Sequence, residues 1–169
     1  MVRRVTAPPA RIAVVGAGAT PLVGELATAG FEVIALDVSA AAIDALRAQC
    51  EGVDTISYEV ADVCAWQPSE QVDTWHDRAV FHFLVDDDDQ LAYAESVRRA
   101  LRIGGHLVIA TFAPDGPEQC SGLAVARHDA ATLSAAFGGF ELIDSFESDH
   151  ATPFGSTQRF IHVVLRRVS

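Results

Sequence analysis

The sequence predicts a single α/β domain built on a doubly wound, seven-stranded, mostly parallel sheet, with one antiparallel strand near the C-terminus and helices on both faces. Three observations carry this. Short apolar runs alternate with helical patterns from residue 12 to residue 112, the order that produces a parallel sheet covered on both sides. The first strand-to-helix link is a glycine turn, and the strand that follows its helix ends in Asp37. After residue 112 the alternation gives way to one helix and two strands joined by the turn-rich stretch 149–157, and strands so joined pair antiparallel.

Taken in order, residues 12–15 read as the first strand, Gly16-Ala17-Gly18-Ala19-Thr20 as the turn, 21–29 as a helix and 31–36 as the second strand. Gly16 and Gly18 let the backbone turn sharply and approach a ligand where a Cβ would collide. Pro21 suits the first helical turn, where its missing N–H would be unpaired in any case. Asp37 stands 21 residues after Gly16, a placement at which a carboxylate can accept hydrogen bonds from both hydroxyls of a ribose. The unit predicts a nucleoside-containing cofactor, although the third glycine of the strict dinucleotide pattern is replaced by Pro21 and Gly24 arrives three residues late. Residues 40–50 read as a helix with Ile43 and Leu46 inward and Ser39 as N-cap. A third strand at 53–58 leads through Val60-Ala61-Asp62-Val63 and a loop to a fourth strand at 72–77. A helix at 87–101 and the Gly104-Gly105 turn launch the fifth strand, 106–112. Residues 113–122, with two prolines and two glycines, read as a long loop, 129–137 as a helix, and 140–148 and 158–166 as the last two strands.

Composition narrows the function. With 12 basic and 23 acidic side chains in 169 residues the net charge is -11, a surface that repels phosphate backbones and anionic membranes, so neither nucleic acid nor membrane is expected as a partner. No run approaches the ~18 apolar residues of a membrane span and residues 1–9 lack a signal-peptide core, so a cytoplasmic address is expected. Cys50, Cys64 and Cys120 lack C-x-x-C spacing and are expected as reduced thiols, with no metal site. The acidic run 86–89 reads as carboxylates at the positive end of a helix rather than as a metal cluster.

Several of these segments, in register, resemble the class I S-adenosylmethionine (SAM) dependent methyltransferases, and the resemblance covers nearly all of the chain. Val15-Gly16-Ala17-Gly18-Ala19-Thr20 resembles the glycine motif, Leu36-Asp37-Val38-Ser39 the ribose acid, and Ala61-Asp62-Val63 the adenine-contacting segment. Residues 101–109 resemble the L-x-P-G-G element, with Ile103 where the family often has proline. Residues 75–84 (WHDRAVFHFL), 110–117 and 157–160 resemble a small bacterial subgroup of poorly defined substrate. The resemblance implies a Rossmann-like fold and S-adenosyl-L-methionine as cofactor. It also implies that Gly16, Ala17, Gly18 and Thr20 line the methionine moiety, Asp37 holds the ribose, Val38 flanks the adenine, and Asp62 and Val63 contact it. Two departures stand out: Val14 occupies the position where the family usually carries an acid, and only residues 1–11 precede the first strand, where the family usually has a few dozen.

Methyl transfer is an in-line displacement at a sulfonium, so placement of the nucleophile dominates and a base is needed only if the nucleophile arrives protonated. His76, Asp77 and Arg78 end the fourth strand, and carboxyl ends of parallel strands face the ligand crevice. His76 or His82 could serve as a base, since imidazole titrates near neutrality; the competing reading pairs Asp77 with Arg78 structurally and leaves His82 on a helix face. His106, His128 and His162 read as core or surface residues. Phe112, Cys120, Arg127 and Arg159 lie on or beside the segments where the family places its acceptor, and the two arginines suggest an anionic acceptor. The expected activity is methyl transfer to a small molecule or a protein side chain. The competing classes are an NAD(P)-binding oxidoreductase, for which no catalytic Tyr/Lys context is present, and a non-catalytic SAM-binding module. Residues 1–11 are too short for a helical lid, so an open crevice is expected, closed by a homodimer in which the N-terminal arm or loop 113–122 of one chain lies near the other's cofactor site.

Overall fold

The computed structural model describes residues 1–18, 20–152 and 157–169. Ala19 of the glycine turn and most of the link between the last two strands therefore lie outside the described residues. In chain order the elements are α1 (Val2–Val5), β1 (Arg11–Val15), α2 (Leu22–Thr28), β2 (Glu32–Asp37), α3 (Ala40–Gln49), β3 (Ile56–Val60) and β4 (Val72–Arg78). A 3-10 turn (Phe81–Phe83) follows, then α4 (Asp87–Ala100), β5 (Leu101–Phe112), β6 (Gln119–Cys120), β7 (Leu123–Ala124), α5 (Ala130–Ala135), β8 (Phe140–Ala151) and β9 (Thr157–Arg167). Seven strands form one sheet in the order β3-β2-β1-β4-β5-β9-β8, and only β9 runs against its neighbours. The order steps outward from β1 in both directions, so the crevice opens at the carboxyl ends of β1 and β4, where the winding reverses.

Local chemistry accounts for the elements. β1 is apolar and buried on both faces, as a central parallel strand must be. Ser39 caps α3 by accepting from the Ala42 N–H, and Asp129 and Thr132 form a reciprocal capping box on α5. Asp87, Asp88 and Asp89 occupy the first turn of α4, and Arg98 and Arg99 its last, both signs matching the helix dipole. One face of the sheet packs Trp75, Leu107, Ile109 and Val163 against Tyr93 and Val97 of α4 and Leu133 of α5. The other packs Ile12, Val14 and Val33 against Val23 and Leu26 of α2 and Leu46 of α3.

The structure departs from the sequence expectations in four places. The N-terminal arm folds onto its own sheet: Val2 is buried with Ile12 and Val14, and the Thr6 and Thr74 hydroxyls lie 2.5 Å apart. The fifth strand begins at Leu101 rather than after a glycine turn, with a register shift opposite Val72 and Thr74. Gly105 is required there because a Cβ would lie 2.9 Å from the carbonyl oxygens of Arg102 and Asp73. Loop 113–122 runs into a β6–β7 hairpin, whose two central residues, Ser121 (φ 53) and Gly122 (φ 79), have the positive φ of a tight type I′ turn. Finally, β3 starts three residues later than expected, at Ile56.

Candidate active site

Two adjoining hollows lie at the carboxyl end of the sheet and share Gly16 and Arg78 as common walls. The first, about 540 Å³, is lined by Asp37, Val38, Asp62, Val63, Val80 and Phe83, among others. The second, about 450 Å³, is lined by Val14, Thr20, Glu25 and His76 together with the shared residues. Val80 forms the waist between them, for its Cγ2 lies 2.2 Å from where a Cβ on Gly16 would stand. Gly16 also has φ +59, so both its conformation and its lack of a side chain are used.

Asp37 organises the first hollow. Its Oδ2 accepts the Gly18 N–H at 2.9 Å and its Oδ1 accepts the Ser39 N–H at 2.9 Å, while the Ala17 N–H donates to the Leu36 carbonyl at 3.0 Å. The glycine turn is thereby tied to the end of β2. A carboxylate offers about four acceptor sites, so each oxygen of this half-buried group keeps capacity facing the hollow. Beside it, Val38 is 77% exposed and presents a bare apolar surface. The Ala61 N–H donates to the Asp37 carbonyl at 3.1 Å, and Asp62 accepts the Cys64 N–H at 2.9 Å, which fixes the loop forming the far wall. An anchored acid with free lone pairs, flanked by apolar surface and a second carboxylate, fits the ribose and base of a nucleoside. Ala17 and Gly18 are the exceptions among the expected contacts: neither lines a hollow, Ala17 is buried in the core with its N–H engaged, and the Gly18 N–H is taken by Asp37.

The end of β4 divides its side chains between two faces. His76 and Arg78 line the second hollow, whereas Asp77 points into the opposite core and lines neither. The Asp77 carboxylate accepts the Val80 N–H at 2.8 Å, the Phe81 N–H at 3.0 Å and the Tyr93 hydroxyl at 2.5 Å; that hydroxyl in turn accepts the Trp75 Nε1–H at 2.9 Å. Burial pushes the Asp77 carboxyl up to about 6, against these three bonds that favour its ionised form. Its partner is Tyr93, so the alternative pairing with Arg78 does not occur. The imidazole of His76 is held down to about 4 by burial and by the nearby N-terminal amine, Arg78 and His162, and is neutral at pH 7. Its Nδ1 has no hydrogen-bond partner among the described residues.

His82 lines neither hollow. It is fully buried with ring contacts to Phe83 at 4.5 Å and Phe112 at 4.6 Å, neither ring nitrogen has a partner among the described residues, and burial lowers its pKa to about 4. The four residues expected at the acceptor side also stand apart from both hollows. Phe112 is core, packed with Phe160 and the half-buried Cys120. Arg159 is neutralised by Glu147 at 2.7 Å and Asp115 at 3.7 Å, and Arg127 by Glu118 at 3.2 Å. The free cation at the crevice is instead Arg78, which has no ion pair among the described residues and lies 5.8 Å from the centre of the Phe160 ring. Val80, Leu84 and Glu25 were missed as lining residues. Nothing local marks Leu84 or Glu25; Val80 follows Ala79, whose φ of 69 turns the chain back over Gly16.

Among the described residues no cluster of His, Cys, Asp and Glu suits a metal, and no helix is long and apolar enough to cross a membrane. A family model described as a methyltransferase domain matches residues 12–105, more than half of the chain. No curated protein matches the chain. Among solved structures it is similar to a SAM-dependent methyltransferase from Methanosarcina mazei, with 15% identity, a TM-score of 0.79, and coverage of 99% of this chain and 96% of that one. It is similar also to the N-methyltransferase NodS from Bradyrhizobium japonicum WM9, with 15% identity, a TM-score of 0.79, and coverage of 95% and 88%. A third is the Burkholderia thailandensis 1,6-didemethyltoxoflavin-N1-methyltransferase, solved with its acceptor and S-adenosylhomocysteine, at 22% identity, a TM-score of 0.74, and coverage of 95% and 72%. By family the chain belongs to the methyltransferase domain family, and by fold it is similar to SAM-dependent methyltransferases.

Proposed function

We propose that the protein transfers the methyl group of SAM to a small-molecule acceptor. The observation that carries the cofactor assignment is Asp37, anchored by the Gly18 and Ser39 N–H groups with its remaining lone pairs facing the first hollow. In this reading Asp37 holds the ribose, Val38 and Val63 flank the adenine, Asp62 accepts from its amino group, Gly16 and Thr20 line the path to the methionine end, and Gly18 holds Asp37 in place. The cofactor, when bound, supplies an electrophilic methyl on a sulfonium. The chain's part is to place an acceptor atom ~3 to 3.5 Å from it and to exclude water. His76 lines the second hollow as a neutral imidazole, and with its pKa held down to about 4 it is too weak a base to drive the transfer, so the acceptor enters already deprotonated. Asp77 and His82 support the site without touching it.

A small acceptor is favoured over a protein side chain because a methyltransferase of the same fold is solved with the small molecule 1,6-didemethyltoxoflavin bound. The free thiols Cys50, Cys64 and Cys120 support a reducing, cytoplasmic location. A homodimer is supported by the outer strand β8, which exposes Leu142, Ile143 and Phe146, and light scattering across a concentration series tests it.

The test of the cofactor assignment is a thermal-shift titration with SAM, S-adenosylhomocysteine and NADH side by side. At about a hundredfold excess over the dissociation constant the first two add ~2.7 kcal/mol of stability and NADH adds none. Asp37→Asn weakens the effect by ~10- to 150-fold in affinity, the range for hydrogen bonds to a charged group. A shift with NADH alone would sink the methyltransferase assignment in favour of the oxidoreductase.

A further inference from the structure

The second hollow holds two opposite charges whose side chains make no ion pair among the described residues, although the Arg3 guanidinium donates to the Glu25 carbonyl at 3.0 Å. Arg78, exposed at the end of β4, makes no ion pair among the described residues, and neither does Glu25, exposed in the first turn of α2. Two opposite charges in one cavity of about 450 Å³, without a salt bridge between them, leave a place for a ligand that carries both signs. The cavity also has a fixed relation to the nucleoside hollow. The two meet at Gly16 and Arg78, so a ligand whose ribose sits on Asp37 enters the second hollow with its other end.

For SAM that other end is an amino-acid zwitterion. The position where the family usually carries an acid is Val14, 2% exposed and packed in the core, and it offers such a group no charge. From this juxtaposition we infer that Arg78 binds the carboxylate and Glu25 the ammonium of the cofactor's amino-acid end. The guanidinium suits the task, for its planar fork matches a carboxylate with two parallel hydrogen bonds. The Phe160 ring, 5.8 Å from the guanidinium carbon, keeps that fork at the strand end.

The inference rests on the cofactor assignment above, and the experiment separates the two. Calorimetric binding of S-adenosylhomocysteine and of 5′-methylthioadenosine, which lacks the amino-acid end, is measured for wild type, Arg78→Met, Arg78→Lys and Glu25→Gln, with the melting temperature of each ligand-free protein as a folding control. Wild type should prefer S-adenosylhomocysteine by at least ~10-fold. Arg78→Met should lose ~10- to 150-fold on that ligand and hold 5′-methylthioadenosine within about twofold, with partial recovery in Arg78→Lys. Glu25→Gln should show the same selectivity at smaller size. Equal wild-type affinity for the two nucleosides, or equal weakening of both by Arg78→Met, overturns the inference and leaves the cofactor assignment standing. Binding of neither nucleoside overturns the assignment and the inference together.

Discussion

Asp77 and Tyr93 share a 2.5 Å hydrogen bond in the core, and through it α4 holds the backbone that carries Val80 and Phe83 to the first hollow. The strand-end acid is thus a brace. It receives the two N–H groups at which the chain turns out of β4, and its remaining capacity is used by a phenol that is itself fixed by Trp75.

Asp77→Ala is therefore expected to lower the unfolding free energy by about 3 to 5 kcal/mol, since two backbone donors and a hydroxyl lose their acceptor at about 1 to 3 kcal/mol each. Tyr93→Phe removes one of those bonds and should cost about 1.5 to 3 kcal/mol. Urea unfolding measures both. A loss below about 1 kcal/mol for Asp77→Ala, together with lost turnover on an identified acceptor, would return Asp77 to the chemistry.

Gly16→Ala is expected to be costly for two reasons that can be separated. The φ of +59 strains any side chain, and the new Cβ would fall 2.2 Å from Val80 Cγ2. Adding Val80→Ala relieves only the second, so the double variant should recover part of the loss, with a coupling of about 0.5 to 3 kcal/mol in a double-mutant cycle. Gly18→Ala, whose Cβ meets only the Gly16 carbonyl at 3.8 Å, should show the strain alone. Additive losses for Gly16→Ala and Val80→Ala would mean that the waist relaxes freely.

The third prediction concerns acid sensitivity. His82 is held at about 4 in the folded protein, below its ordinary value of 6.5, so between these values the unfolded chain binds more protons than the folded one. Its contribution is fully present above about pH 6.5 and is lost as pH falls toward 4, at up to ~1.4 kcal/mol per pH unit. His76 acts with the same sign. Asp77 acts oppositely: its folded value is raised to about 6 from 3.8, so its contribution is present below about 3.8 and lost as pH rises through 6. His82→Leu removes one imidazole and its unpaired nitrogens. It should stabilise the protein by about 1 to 3 kcal/mol at pH 7.5 and flatten the fall in melting temperature between pH 6.5 and 4.5. An unchanged pH slope would show that His82 titrates normally.

The order of strands and helices, the glycine turn and Asp37 were legible in the chain because each depends on neighbours in sequence. Apolar periodicity sets the elements, and a turn of positive φ selects glycine within a few residues. The β6–β7 hairpin lies within the same reach, but strands of two residues each carry no periodicity to mark them. What was not legible depends on partners brought from elsewhere. Arg159 meets Glu147 across a hairpin, and the covering of Val14 by Val2 depends on where an N-terminal turn comes to rest.

By itself, then, the sequence determined an α/β fold with an acid at the end of β2 beside a glycine turn, and hence where a ligand crevice opens. Only the tertiary structure decided which residues of His76-Asp77-Arg78 face it. Successive side chains on a strand point to opposite faces, and the alternation is the same whichever face is open. Packing of Tyr93 on one side buries Asp77, and the same parity leaves His76 and Arg78 on the side that opens to the second hollow.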